Sequence, residues 1–175
     1  DRAGFQLHFH AVGDGAVRMA LDAVAYTISL NGPRDRRPMI AHGELISPDD
    51  LPRFCTLGVI ANLQPLWFYE ERNFRKTTLP FLGNERAGRM YTIRSLLNAG
   101  ASVACGTDWP FSGELNTFDP LTSIQVGLTR RGLDPDAAPV YNPGECLSLA
   151  ALIDAHTCGV AFADFAEETS GSLTV

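Results

Sequence analysis

The feature that most constrains this chain is its alternation. Four times, a short apolar run is followed by a longer run with helical spacing. Phe5 to His10 alternates apolar and polar residues and predicts a strand, which Gly13, Asp14 and Gly15 break. Val17, Ala20, Leu21, Val24 and Ile28 then recur at helical spacing across Ala16 to Leu30, and Asn31-Gly32-Pro33 stops that helix. Pro38 to His42 predicts a second strand. Ser47 is the expected cap of the next helix, with Pro48 at its first position and Asp49 and Asp50 in its first turn. Gly58 to Leu63 predicts a third strand. Gln64 to Gly83 follows as a long irregular stretch, and a loop of that length is usually functional. A helix is expected over Asn84 to Asn98, capped by Asn84 and ended by Gly100. Ala101 to Gly106 predicts the fourth strand, and Trp109 to Asn116 a loop. A helix over Asp119 to Arg131, a Pro-rich connection over Gly132 to Pro143, and helices over Gly144 to Thr157 and Val160 to Phe165 complete the chain. Repeated βα units of this kind specify an α/β fold with a parallel sheet and helical crossovers.

Composition narrows the function classes. With 175 residues, 45% of them hydrophobic and 19% charged, the chain holds one domain with a real core. Twenty acids against fourteen bases leave a net charge of -6, so no basic face is available for nucleic acid. No apolar run reaches the roughly 18 residues of a membrane helix, and no signal peptide is visible. The expected compartment is the cytoplasm. The chain opens at Asp1 without a methionine and reads as a piece of a longer protein. Cys55, Cys105, Cys146 and Cys158 form no CxxC pair and read as reduced thiols in or near a core.

Spacing turns the alternation into a site. A complete eight-fold βα barrel runs about 250 residues, or roughly 31 per unit. His10 to His42 is 32 residues and His42 to Asp108 is 66, close to one unit and two. Each of the three ends a predicted strand, and in a βα barrel active sites are built at that end. Two imidazoles and a carboxylate suit Zn²⁺ or a similar divalent ion. Asp108 can also take a proton from a water activated by that ion. His8 lies two residues before His10 and shares its face of the strand. Asp14 either caps the first helix or stands behind a ligand imidazole and fixes its tautomer. Gln64 either bonds a substrate or ends its strand. Trp67, Phe68 and Tyr69 either line an apolar pocket or pack the long loop. His156 lies inside a helix and reads as structural.

These residues resemble a known family. His8-Phe9-His10-Ala11-Val12-Gly13-Asp14 is similar to the His-Ala-Ile-Gly-Asp motif of the third amidohydrolase family, which includes N-substituted formamide deformylases. The likeness continues through Ala41-His42, Gly58-Val59, Gln64-Pro65, Gly106 to Pro110, Leu128-Thr129-Arg130 and Gly171-Ser172-Leu173. The family's usual Glu-His-Ala-Gln is here Ala41-His42-Gly43-Glu44, which keeps the histidine and changes its neighbours.

The resemblance implies strands five to eight of a (β/α)8 barrel, with the N-terminal half-barrel and the C-terminal end lying outside residues 1–175. It implies His10 and His42 as metal ligands, and Asp108 as both ligand and general base. Gln64 and Trp109 would contact substrate, and His8 and Asp14 would support the ligands. The expected cofactor is one or two divalent ions, zinc by default. The expected reaction is hydrolysis of a C–N bond in a small amide or formamide. The isolated piece should bind metal weakly, turn over little, and pair through its open sheet edges. Two other readings remain: a non-catalytic βα interaction domain with structural histidines, and a metal-free βα-barrel enzyme with a phosphorylated substrate. The Phe111-Ser112-Gly113-Glu114 loop suits the last poorly, because Glu114 repels phosphate.

Overall fold

The computed structural model describes residues 1–72, 74–134 and 139–173. Its strands are β1 (His8–Ala11), β2 (Met39–His42), β3 (Ile60–Leu63) and β4 (Ser102–Cys105). They form one sheet in the order β1-β2-β3-β4, every pair parallel. Helix α1 (Asp14–Asn31) joins β1 to β2, and α2 (Leu51–Thr56) joins β2 to β3. Between β3 and β4 lie α3 (Phe74–Thr77), α4 (Leu79–Ala87) and α5 (Ile93–Asn98). After β4 come α6 (Pro120–Thr129), α7 (Leu149–His156) and α8 (Cys158–Ala163). Sequential parallel order is what a sector of a βα barrel requires. No helix among the described residues is long and apolar enough to cross a membrane.

The strand period of two sorts the side chains. Ala11, Ile40, Ala61, Leu63, Val103 and Cys105 meet Val17, Leu21, Val24, Phe54 and Leu96 in one core between sheet and helices. On the opposite face Ile60 and Ala104 pack on Ala163 of α8. The register places His10, Ala41, Asn62 and Ala104 in one row across that face. Asp50, fully buried, accepts from Arg18 Nε and Arg53 Nη1, each at 2.9 Å, and so ties α1 to α2.

Several boundaries differ from the sequence reading. The first strand starts at His8, because the Gln6 amide donates to Arg37 O and Ala163 O and Phe5 stays exposed. Ser47 precedes a 3₁₀ turn, Pro48–Asp50, and its hydroxyl makes no capping bond. The stretch Gln64 to Gly83 holds a 3₁₀ turn at Pro65–Trp67, then α3 and the start of α4. The helix expected over Asn84 to Asn98 is divided. Gly83, at φ 73°, lets a new turn begin at Asn84. The chain then leaves the helix so that buried Met90 bridges buried Leu45 and the Tyr91 amide donates to Glu44 O. Tertiary pairing there outweighs local helix preference. The helix expected from Gly144 begins at Leu149, because Pro143–Glu145 makes a 3₁₀ turn and Ser148 caps α7 by accepting from Ala151 N. Asp119 does cap α6, accepting from Leu121 N and Thr122 N. Within the Gly132 to Pro143 connection, residues 135–138 lie outside the described set. Cys55 is exposed rather than packed in the core.

Two expected outcomes follow from this packing. A Cβ at Gly159 of α8 would stand 2.2 Å from Val103 O, so the helix approaches β4 only because residue 159 has none. Gly159→Ala should cost about 1–3 kcal/mol in a urea titration. His156 donates from Nδ1 to Leu152 O and accepts at Nε2 from Ser123 Oγ, joining α7 to α6. Burial holds its pKa below the ordinary value. The unfolded chain therefore takes up the proton first. The stability His156 contributes is complete above its ordinary pKa and is lost as pH falls below it. Melting temperatures at pH 7.5 and 5.5 should diverge less for His156→Gln than for the unaltered protein.

Candidate active site

The site begins with two strands in register. His10 on β1 stands opposite Ala41 on β2, and Ala11 opposite His42. Strict alternation would turn His42 towards the helices, as it turns Ile40. The backbone of His42 instead takes φ 76°, a region bulky residues rarely occupy. Its ring swings to the His10 face, where His42 Nε2 lies 2.9 Å from His10 Nδ1. The two rings meet edge to face, centroids 4.4 Å apart. Asp108, three residues past the end of β4, also takes a left-handed backbone, φ 55°.

Gln64 decides the tautomer. Its Oε1 lies 2.9 Å from His42 Nδ1, and a carbonyl oxygen only accepts, so Nδ1 carries the proton. His42 Nε2 is left with a lone pair, into which His10 Nδ1 donates. Trp67 stacks on His42 with rings 5.1 Å apart and 16° from parallel. His42 is buried, and its pKa lies below the ordinary value. Burial is the main cause; the Gln64 bond and the charge of Asp108 oppose it, and His10 and His8 add to it. A neutral imidazole is the form that can ligate a metal.

These groups open on one cavity of about 440 Å³, lined by His8, His10, Ala41, His42, Asn62, Gln64, Gly106 and Asp108. His10, His42 and Asp108 thus share a cavity. Among the described residues, however, no three His, Cys, Asp or Glu groups lie close enough together to hold an ion. The imidazole pair itself fits a metal. Two nitrogens bound to one tetrahedral zinc stand roughly 3.3 Å apart, given Zn–N bonds near 2.0–2.1 Å, so small ring rotations would admit the ion.

The remaining candidates fall elsewhere. Gln64 is buried and its oxygen is committed to His42. Asp14 sits in the first turn of α1 after Gly13, and its carboxylate is engaged by Arg86 Nη2 and the Gly15 amide, with no bond to an imidazole. Burial pushes its pKa up, but the Arg86 bond and charge outweigh this and hold it low. Trp109 is exposed, lies edge-on to Phe118 and does not line this cavity. Of the three aromatics after Gln64, Trp67 reaches the site while Phe68 and Tyr69 are buried. Asn62 was missed in the sequence; its signal was the strand period, which sets it on the face opposite Leu63. Glu44 was missed as well. Burial pushes its carboxyl up to about 7, and Tyr91 only partly opposes this.

Known proteins resemble this chain in sequence and fold. The chain is 34% identical over 175 residues to Protein LONG AFTER FAR-RED 3 of Arabidopsis thaliana, covering 99% of this chain and 28% of that protein. A metal-dependent hydrolase of Pyrococcus furiosus matches with a TM-score of 0.69 and 26% identity, covering 97% of this chain and 31% of that one. A metal-dependent hydrolase of Pyrococcus horikoshii OT3 matches in fold with a TM-score of 0.77 and 22% identity, over 97% and 32%. The chain therefore spans just under a third of the length of these relatives. The model described as Amidohydrolase family matches residues 1–175 throughout, and the chain belongs to that family.

Proposed function

We propose that this chain supplies strands five to eight of a metal-dependent (β/α)8 hydrolase that cleaves a C–N bond in an amide or formamide. The observation that carries this reading is the pair of opposed imidazole nitrogens, His10 Nδ1 and His42 Nε2, at the C-terminal ends of adjacent parallel strands. His156 offers an internal contrast. It spends its nitrogens on a carbonyl and a serine, as a structural histidine does, whereas His10 and His42 face each other. Family membership supports hydrolysis as the reaction class.

In this reading His10 and His42 hold one divalent ion, zinc by donor chemistry, with Asp108 as a further ligand from the same cavity. The ion would lower the pKa of a water towards about 7 and polarise the amide carbonyl. Gln64 holds the proton on His42 Nδ1 and so keeps Nε2 available. The Asp108 carboxylate takes the proton as water attacks the carbonyl carbon. It returns that proton to the nitrogen as the C–N bond breaks, leaving a carboxylic acid and an amine. The unpaired outer edges of β1 and β4 would be covered by neighbouring strands of the complete barrel. A cytoplasmic location is part of the same proposal.

Full-length protein carrying Asp108→Asn should lose about 10²–10⁴-fold in kcat on N-substituted formamides. Unchanged turnover in that variant would overturn the assignment. His42→Ala should strip the metal, read by elemental analysis after dialysis. Gln64→Leu should weaken zinc affinity about 10–100-fold in a chelator competition, with the far-ultraviolet spectrum unchanged.

A further inference from the structure

A second cavity, of about 230 Å³, adjoins the imidazole site. Trp67 connects the two, because the ring that stacks on His42 also walls this cavity. Tyr69, Phe74 and Tyr91 form further walls, and Glu44 and Glu71 line it. Glu44 is placed there by the chain leaving His42, and Glu71 by the segment after β3.

The two carboxylates are not neutralised by the protein. Among the described residues, no ion pair involves Glu44 or Glu71. Arg75 pairs with Glu70 and Arg86 with Asp14, while Glu71 accepts a hydrogen bond from the backbone amide of Glu114, which leaves its charge in place. The Tyr91 hydroxyl approaches Glu44 only to 3.5 Å, the long limit of a hydrogen bond. Tyr69 is 7% exposed and lines the same cavity. The backbone is also cleared for Glu71. A Cβ at residue 113 would fall 2.2 Å from Glu71 Oε1, so the carboxylate holds its position only because residue 113 is glycine.

Two like charges in one half-buried cavity are unfavourable unless one takes up a proton or a cation joins them. Aromatic faces attract cations as well. A hard metal ion would want six or more oxygens, which ring-lined walls do not supply. An organic cation matches both the charge and the walls. We propose that this cavity is the subsite for an ammonium- or amidinium-bearing arm of the substrate. The proposal rests on reading the neighbouring His10–His42 site as hydrolytic, and it makes the preferred substrate a cationic amide.

The test uses full-length protein and two probes of matched shape. N-(4-aminobutyl)formamide carries the ammonium, and N-pentylformamide has a methyl in its place. Hydrolysis is followed by amine release, and binding by titration calorimetry. The charged probe should show at least a tenfold higher kcat/KM. Glu71→Gln, and independently Glu44→Gln, should bring the ratio of the two probes towards one. Equal kcat/KM for the two probes, or a preference that survives both substitutions, overturns the subsite and leaves the hydrolase reading in place. If neither probe is hydrolysed but the charged one binds tenfold tighter in a Glu71-dependent way, the subsite stands and the hydrolase reading falls. If neither is hydrolysed and the charged probe binds no tighter, the subsite is overturned.

Discussion

The meeting of His10 and His42 is the contact on which the site depends. It requires three things at once. β1 and β2 must pair in parallel with Ala11 opposite His42. The backbone at His42 must turn left-handed, so that a side chain due to face the helices faces the cavity instead. Gln64, from the next strand end, must accept a hydrogen bond from Nδ1 so that the Nε2 lone pair faces His10. Strands β1 to β3 therefore act as one device for aiming a lone pair. Backbone strain of this kind persists only where surrounding structure over-determines it, and it gathers at functional sites. Asp108 shows the same left-handed backbone just past the end of β4.

Much of this was legible in the sequence. The βα alternation predicted four parallel strands, and the described residues form four, in sequential order. The unit-length intervals singled out His10, His42 and Asp108, and the fold gathers all three at one cavity. What was not legible depended on contacts between distant segments. Helix spacing continues smoothly from Asn84 to Asn98, yet Met90 leaves the helix to pair with Leu45, forty-five positions away. Nothing local announces that pairing. The left-handed turn at His42 is equally invisible, because histidine is enriched there only relative to a rare event and His8, His10 and His156 do not adopt it. Asp14 is a further case. Its position left a helix cap and an imidazole partner both open, and Arg86, seventy-two residues later, is what engages its carboxylate, with the Gly15 amide.

Arg130 shows how a motif residue can serve the site without touching it. It ends α6 in a left-handed conformation and is wholly buried. Its guanidinium donates to Tyr141 O and Tyr91 O and lies over the rings of Phe68 and Tyr141. Burial lowers its pKa to about 10, so it keeps its charge near neutrality. Arg, with its planar fork, suits such a position because it can stack and donate at once. The effect is to bind α6 to the two segments that carry Phe68 and Tyr91.

Those segments reach both cavities. Phe68 follows Trp67, whose ring rests on His42, and Tyr91 stands at the wall that holds Glu44. A shift of Arg130 would therefore disturb the face of Trp67 towards the imidazoles and its face towards the carboxylates together. The buried guanidinium makes one rigid wall serve two chemically different spaces. In the reading proposed above, one space would take the reacting carbonyl beside the two imidazoles, and the other a positive group beside the carboxylates. In that reading, the Trp67 ring between them would set how a substrate must be shaped to occupy both.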